Sequence, residues 1–586
     1  MTATPPSVPA FPSPFEFNFR HPVPLLELRM SKLSGQIRCK PNWWIKVQDP
    51  EVVAKWRAEI VEQDAAVVDR FWGGPKRLEW KLSITVEKQW PRSKITDAQL
   101  DYIFDQLRFE ATRYDAATGI FATAVPKVYE SRSLIPVTLK APLVDGVSVL
   151  ESVPEEDKDW HPGSNKQVLD LVHPSMYCLR IGQSYVRPRG DALDAASGAV
   201  KVITEKEYMQ QRPDMNKFRR PEMDYVISPK FQWLPTDFEV SAEGGVRALS
   251  YINNLHPTHH RALYPAISSI LARFIPLFEN VLTDAINPEP QNAVRPNPHE
   301  WYNHVYSENP DVPRPYDEPD PEDSTFKDEN GYWYGRWPYV PEPVPFQPPS
   351  TEGRTTVSLR GRTLQVIVKL ANIVLTPDNP AYPGGSWHVE GMANEAIVAT
   401  GLYYYACENI TESRLDFRAA VGSEENGVHL AYEQSDDTGY MTVFGLQRES
   451  LLNQPFGGIV AEEDKCVAFP NIYQHRVDAF ELADPTKPGH RKILCFFLVD
   501  PFNRIMSTTD VPPQQADWAT EALGGARTLQ QLPQELFDIV VDYARDDKVS
   551  RKEAEDVREQ LMEERSTFVV DHNKELFEVE FYMCEH

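Results

Sequence analysis

Cysteine is scarce in this chain and nowhere paired. The six residues Cys39, Cys178, Cys407, Cys466, Cys495 and Cys584 are scattered through 586 positions and form no CxxC. Such spacing excludes a zinc ribbon and a small disulfide scaffold. Cys466 and Cys495 lie in apolar runs, where a free buried thiol is the ordinary state. Positive charge is also in short supply. Lys and Arg number 60 against 86 Asp and Glu, a formal net charge of −26. That balance argues against nucleic acid, whose binding needs phosphates neutralised by Lys and Arg, and against anionic membranes. It serves solubility instead. No apolar run approaches the roughly 20 residues of a membrane span. The opening MTATPPSVPAFPSPFEF has neither the basic nor the apolar region of a secretory signal. A cytosolic or nuclear setting is therefore expected. A GxSxG elbow, a glycine-rich phosphate loop and a repeat of constant period are all missing.

The apolar and aromatic fractions, 41% and 11%, suit a globular chain, and its length calls for two or more lobes. Residues 1–45, rich in proline and aromatics, read as an extended arm. Residues 46–286 read as a mainly helical lobe. In DPEVVAKWRAEIVEQ, Val53, Trp56 and Ile60 share a face behind a capping Asp49. In ITDAQLDYIFDQLRFEATRY, Leu100, Ile103, Phe104 and Leu107 do the same. YESRSLIPVTLKAPLV and SMYCLRIGQSYVRPRG read as strands or extended pieces. HHRALYPAISSILARFIPLFENVLTDAI reads as a long helix that Pro265 and Pro276 kink or divide. Residues 287–355 combine proline, acid and aromatics, an extended strap with a disordered acidic portion near 310–328. From 356 to 510 short apolar runs alternate with turns, among them TLQVIVKLANIVL, EAIVATGLYYYAC, GYMTVFGL and RKILCFFLVDP. This pattern predicts a β-sandwich or barrel, hence an α+β chain. Residues 511–586 return to helix.

Within the β-rich half, AYPGGSWHVEGM brings a glycine turn up to a strand. His388 and Glu390, two apart, project from one face of that strand. His475 opens a later strand, and Arg491 lies sixteen residues beyond it. Two imidazoles and a carboxylate make the facial triad of a non-haem iron(II) site, with three positions left open. An arginine can meet the far carboxylate of 2-oxoglutarate with a charge-assisted, bidentate bond. Arg476 and His490 adjoin His475 and Arg491 and should face away. Lys369 stands in an apolar strand, either assisting the cosubstrate or reaching to water from an edge. Asn372 and Tyr403 are further candidate contacts. His256, His259 and His260 are read as the lead-in to the following helix.

The order His388-Val389-Glu390, His475, Arg491 resembles the Fe(II)/2-oxoglutarate-dependent dioxygenase superfamily. Tyr382 through His388 resembles its prolyl-hydroxylase-like branch, with Glu390 at the place of the commoner Asp. The wider stretch, including SWHVEGMANEAIVATGLYYY, resembles a large fungal family of unassigned function. The resemblance implies a double-stranded β-helix (jelly-roll, cupin-like) core over 356–510. It implies Fe(II) at His388, Glu390 and His475, 2-oxoglutarate at Arg491, and oxidation, hydroxylation by default, of an unidentified small molecule or peptide with O2. Two other readings remain. One is a non-catalytic β-helix binding or assembly protein. The other is a cupin-type metalloenzyme that does not use 2-oxoglutarate.

Overall fold

The structure is a computed structural model describing residues 10–16, 20–72, 93–187, 200–211, 225–297, 340–422, 438–525, 529–545 and 548–582. The expected acidic portion near 310–328 lies outside them. Part of the expected extended arm is helical. Leu26, Met30, Leu33 and Ile37 recur at helical spacing, and α1 (Leu25–Arg38) buries them in one cluster. Helix α2 (Pro50–Trp72) follows, with Asp49 Oδ1 accepting from the Glu51 amide at 2.9 Å. Helix α3 (Asp97–Thr112) begins in a capping box built from Thr96 and Gln99. The chain at 340–346 runs along α3: Thr96 Oγ1 donates to Glu342 and Phe346 packs edge-on against Tyr102.

The second half of YESRSLIPVTLKAPLV and the run GYMTVFGL, expected as strand or extended chain, are helices, and their buried residues show why. In α4 (Val137–Glu151), Leu139, Leu143, Val147 and Leu150 pack into the core with a period near four. Helix α5 (Leu263–Ile286) runs through Pro276 as one element, while Pro265 sits in its first turn, where no amide partner is needed. By length and composition α5 could cross a membrane, yet most of it is buried inside the protein. GYMTVFGL forms α6 (Thr438–Phe444), burying Tyr440, Val443 and Phe444 on a helical stripe. Helices α7 (Gln534–Arg545) and α8 (Arg551–His572) complete the chain.

Strands from both halves build one large antiparallel sheet. The first half supplies β1 (Phe121–Ala122), β2 (Tyr129–Ser131), β3 (Val168–Val172), β4 (Thr236–Val240) and β5 (Val246–Ala248). The second half supplies β6 (Arg362–Leu375), β7 (Ile397–Glu408), β8 (Ser413–Ala420), β9 (Asn453–Ala461), β10 (Cys466–Pro470), β11 (Gln474–Val477) and β12 (Gly489–Val499). The large sheet has the order β1-β2-β10-β7-β12-β6-β4-β5, with β3 also paired to β6; β9-β8-β11 form a second sheet. The amino-terminal region is thus not helical alone, because five of its strands extend the β structure of the second half.

Strand alternation splits the large sheet into two faces. Val366, Val368, Leu370, Tyr403, Tyr405, Leu494 and Phe496 pack with Phe274 and Phe278 of α5. Ile367, Leu402, Tyr404, Cys495 and Phe497 instead share a core with Leu415, Phe417, Phe456 and Ile459 of the smaller sheet. The two sheets therefore face each other, and α5 covers the outer side of the larger one.

Candidate metal centre

Everything in the site hangs on the segment 384–396. Gly384 has φ +91°, and a Cβ there would lie 3.0 Å from the Val477 carbonyl, so only glycine suits the turn. The chain then runs beside β11, with the Gly385 amide donating to Val477 O at 2.9 Å. His388 and His475 end up directly opposite each other, joined by both backbone hydrogen bonds, at 3.2 and 3.0 Å. Their rings come to 4.5 Å between centroids. Asn471 clamps the next turn, donating to Glu390 O and accepting from the Glu390 amide. Fully buried Glu395 accepts from the Met392 and Trp233 amides and from Arg565 of α8, which fixes the segment's exit.

His475 Nε2 lies 3.2 Å and His388 Nε2 3.9 Å from Glu390 Oε1. All three ligand atoms fall within 4.8 Å of one another. His388 Nδ1 donates to Ser386 O at 2.8 Å. A carbonyl can only accept, so the neutral ring keeps its Nε2 lone pair for an ion, as an outer hydrogen bond does for metal-bound histidine. His475 is buried, and its Nδ1 has no partner. Desolvation pushes the Glu390 carboxyl up, but the hydrogen bond from His475 and the charge of both imidazoles bring it down to about 2. Burial first, then His475, lowers His388. The donor set is an ionised carboxylate with two imidazoles, which suits a divalent transition metal. Phe469 and Phe417 wall the site behind His475, whereas the His388 side chain remains 36% exposed, leaving one side open.

Arg491 points from β12 into the same interior, only 2% exposed. Its guanidinium donates to Ser413 Oγ at 2.6 Å and lies 5.5 Å from the Tyr404 and 5.3 Å from the Phe480 ring centroids. Its Nε has no partner, and no carboxylate among the described residues pairs with it. Lys369 is not an edge residue. It lies inside β6, opposite Cys495 of β12, just beyond the stretch paired with β4 and just before the stretch paired with β3, on the face that holds Ile367. Its charge acts on both His388 and Glu390.

Two expected contacts are corrected by strand alternation. Tyr403 belongs to the face covered by α5, and its hydroxyl donates to Asp464. Asn372 faces the same way, donating to Glu151 and accepting from Tyr405. Tyr404, one residue along, faces the site, and its buried hydroxyl has no partner. Nothing in the run of three tyrosines distinguishes it. Arg476 faces away and stacks on Trp387 at 4.6 Å. His256 and His259 stack on each other and meet Glu521 at the surface, ahead of α5. A third cluster, His161, Asp170 and His173, escaped the sequence reading.

The chain belongs to a family described as a protein of unknown function (DUF4246), whose model matches residues 97–522. That family's amino-terminal domain, itself of unknown function, matches residues 3–59. No curated protein matches the chain. Among solved structures, a bsmA homolog from Methylobium petroleophilum PM1 is 8% identical, covering 62% of this chain and 84% of its own, at a TM-score of 0.22. The Fe(II)/(alpha)ketoglutarate-dependent dioxygenase TqaL is 11% identical, covering 50% of this chain and 85% of its own, at a TM-score of 0.19.

Proposed function

We propose that this member of a family of unknown function is a non-haem Fe(II)- and 2-oxoglutarate-dependent oxygenase, its facing sheets a double-stranded β-helix. One observation carries the reading. His388, Glu390 and His475, up to 87 positions apart in sequence, present their ligand atoms within 4.8 Å, and Arg491, buried on the same side of the large sheet, has no carboxylate partner among the described residues. His388, Glu390 and His475 would hold the iron. Arg491 and Ser413 would hold the far carboxylate of 2-oxoglutarate, with Lys369 adding positive charge. When bound, iron and cosubstrate supply O2 activation coupled to decarboxylation of 2-oxoglutarate to succinate and CO2, so that an unidentified substrate is oxidised.

The chain's own groups do the rest. The Ser386 carbonyl fixes the His388 tautomer, Asn471 fixes the Glu390 backbone, and Phe417 and Phe469 keep water from the rear of the site. The opening at His388 admits substrate, a small molecule or peptide, in a soluble compartment. Protein purified without oxygen and loaded with Fe(II) should convert 2-oxoglutarate to succinate, and His388→Ala should lose both iron and turnover. Equal iron retention and equal succinate in wild type and variant would refute the assignment.

A further inference from the structure

His161, Asp170 and His173 bring two imidazoles and a carboxylate within 4.8 Å of one another, which at first sight is a second metal site. The hydrogen bonds argue otherwise. His173 Nδ1 accepts from the Ser175 amide at 3.2 Å. Burial keeps the His173 ring neutral by lowering it to about 3, so its proton sits on Nε2 and no lone pair is left there for an ion. That Nε2 is aimed at Asp170 Oδ2, 4.0 Å away. His161 Nδ1 lies 2.7 Å from the same oxygen and donates to it, since an ionised carboxylate only accepts. In the neutral His161 tautomer that donates from Nδ1, Nε2 is bare, on a side chain that is 27% exposed. Asp170 is itself buried, and its Oδ1 has no partner.

The register of β3 places this group. Asp170 lies opposite Ala371 and Val168 opposite Ile373, so Asp170 projects from the face of β6 that also carries Lys369. The Lys369 charge acts on Asp170 and His173, and also on His388 and Glu390. Both clusters therefore lie within electrostatic reach of the same lysine.

We propose that Asp170 and His161 form a proton-accepting dyad on the substrate side of the metal pocket, offering a bare imidazole nitrogen to an O–H or N–H group of the substrate. This rests on the pocket assignment above. Asp170 acts through His161 and is a positioning residue.

The test uses full-length protein labelled with 15N-histidine and loaded with Zn(II) or Co(II). Long-range 1H–15N spectra should show one ring, lost in His161→Gln, with Nδ1 protonated and Nε2 bare. His173 should show the opposite tautomer. Co(II) in place of Zn(II) should broaden both rings. Diethyl pyrocarbonate, which needs a bare and reachable imidazole nitrogen, should acylate His161, and more slowly in Asp170→Asn. A protonated His161 Nε2, a zinc equivalent lost in His161→Gln, or rings untouched by bound Co(II) would each overturn the dyad. Failure of Co(II) to bind at all would count against the metal centre alone, because the tautomers and the acylation are read without it.

Discussion

Replacing Arg491 by methionine removes the guanidinium and keeps an unbranched side chain between Tyr404 and Phe480. The arginine is 2% exposed, gives one hydrogen bond to the uncharged Ser413 hydroxyl, and leaves its Nε unpartnered. A carboxylate of 2-oxoglutarate meeting it would gain a charge-assisted bond worth about 1.5–3 kcal/mol net. At about 1.4 kcal/mol per factor of ten, Arg491→Met should weaken 2-oxoglutarate binding roughly 10- to 150-fold. Anaerobic calorimetric titration of 2-oxoglutarate into metal-loaded protein reads the change, with metal content measured on the same samples. Metal should stay bound, because the triad does not touch Arg491. Arg491→Lys should fall between the two, keeping the charge and losing the planar fork. An unchanged Kd in Arg491→Met with metal still bound would refute the cosubstrate reasoning and favour a metalloenzyme that does not use 2-oxoglutarate.

Asn372→Ala and Tyr403→Phe should leave 2-oxoglutarate affinity within twofold of wild type, since both face α5. Asn372→Ala should instead lower the thermal midpoint, because Glu151 and Tyr405 lose a partner. Gly401→Ala would put a Cβ 2.7 Å from Phe274 and 2.9 Å from Phe278. It should cost about 1–3 kcal/mol by urea unfolding, with metal content unchanged. His572 lies among Phe15, Phe568 and Phe577, and burial lowers it to about 3 from 6.5. Above pH 6.5 the ring is neutral folded and unfolded and contributes no pH dependence. Between pH 6.5 and 3 the unfolded chain gains a proton that the folded one refuses, so stability falls with pH. Between pH 7 and pH 5 the loss from this group is about 2 kcal/mol. His572→Leu should reduce the drop in unfolding free energy by that amount, and identical drops in the two proteins would contradict the assignment.

The triad was legible because its chemistry is written in residue types. His388 and Glu390 are two apart, the spacing that marks one face of a strand, although in the structure His388 forms only an isolated bridge to His475 and Glu390 lies in the bend that follows. Their convergence with His475 depends on the Gly384 turn and the pairing of His388 with His475, which are long-range facts. Lys369 and Asn372 are three apart and cannot share a face of one strand. The alternation could have excluded one of them, but only the pairing of β6 with β12 says which. Choosing Tyr404 over Tyr403 needed the same register. VTLKAPLVDGVSVLE and GYMTVFGL hold helical spacing that their β-branched and aromatic content obscured. The stretch HPGSN marks a turn between them, but the pairing of Trp160 with Leu169 that brings His161 to Asp170 is a fact of register that residue types do not state.

Helix α5 lies across strands drawn from both ends of the text, and Gly401 is small so that two of its phenylalanines can sit on the sheet. A recombinant fragment trimmed to 356–510 would leave that sheet surface bare and greasy, and would be expected to precipitate on expression. Anyone seeking a minimal catalytic piece must retain the stretch from 263 to 286, or graft a substitute cover in its place.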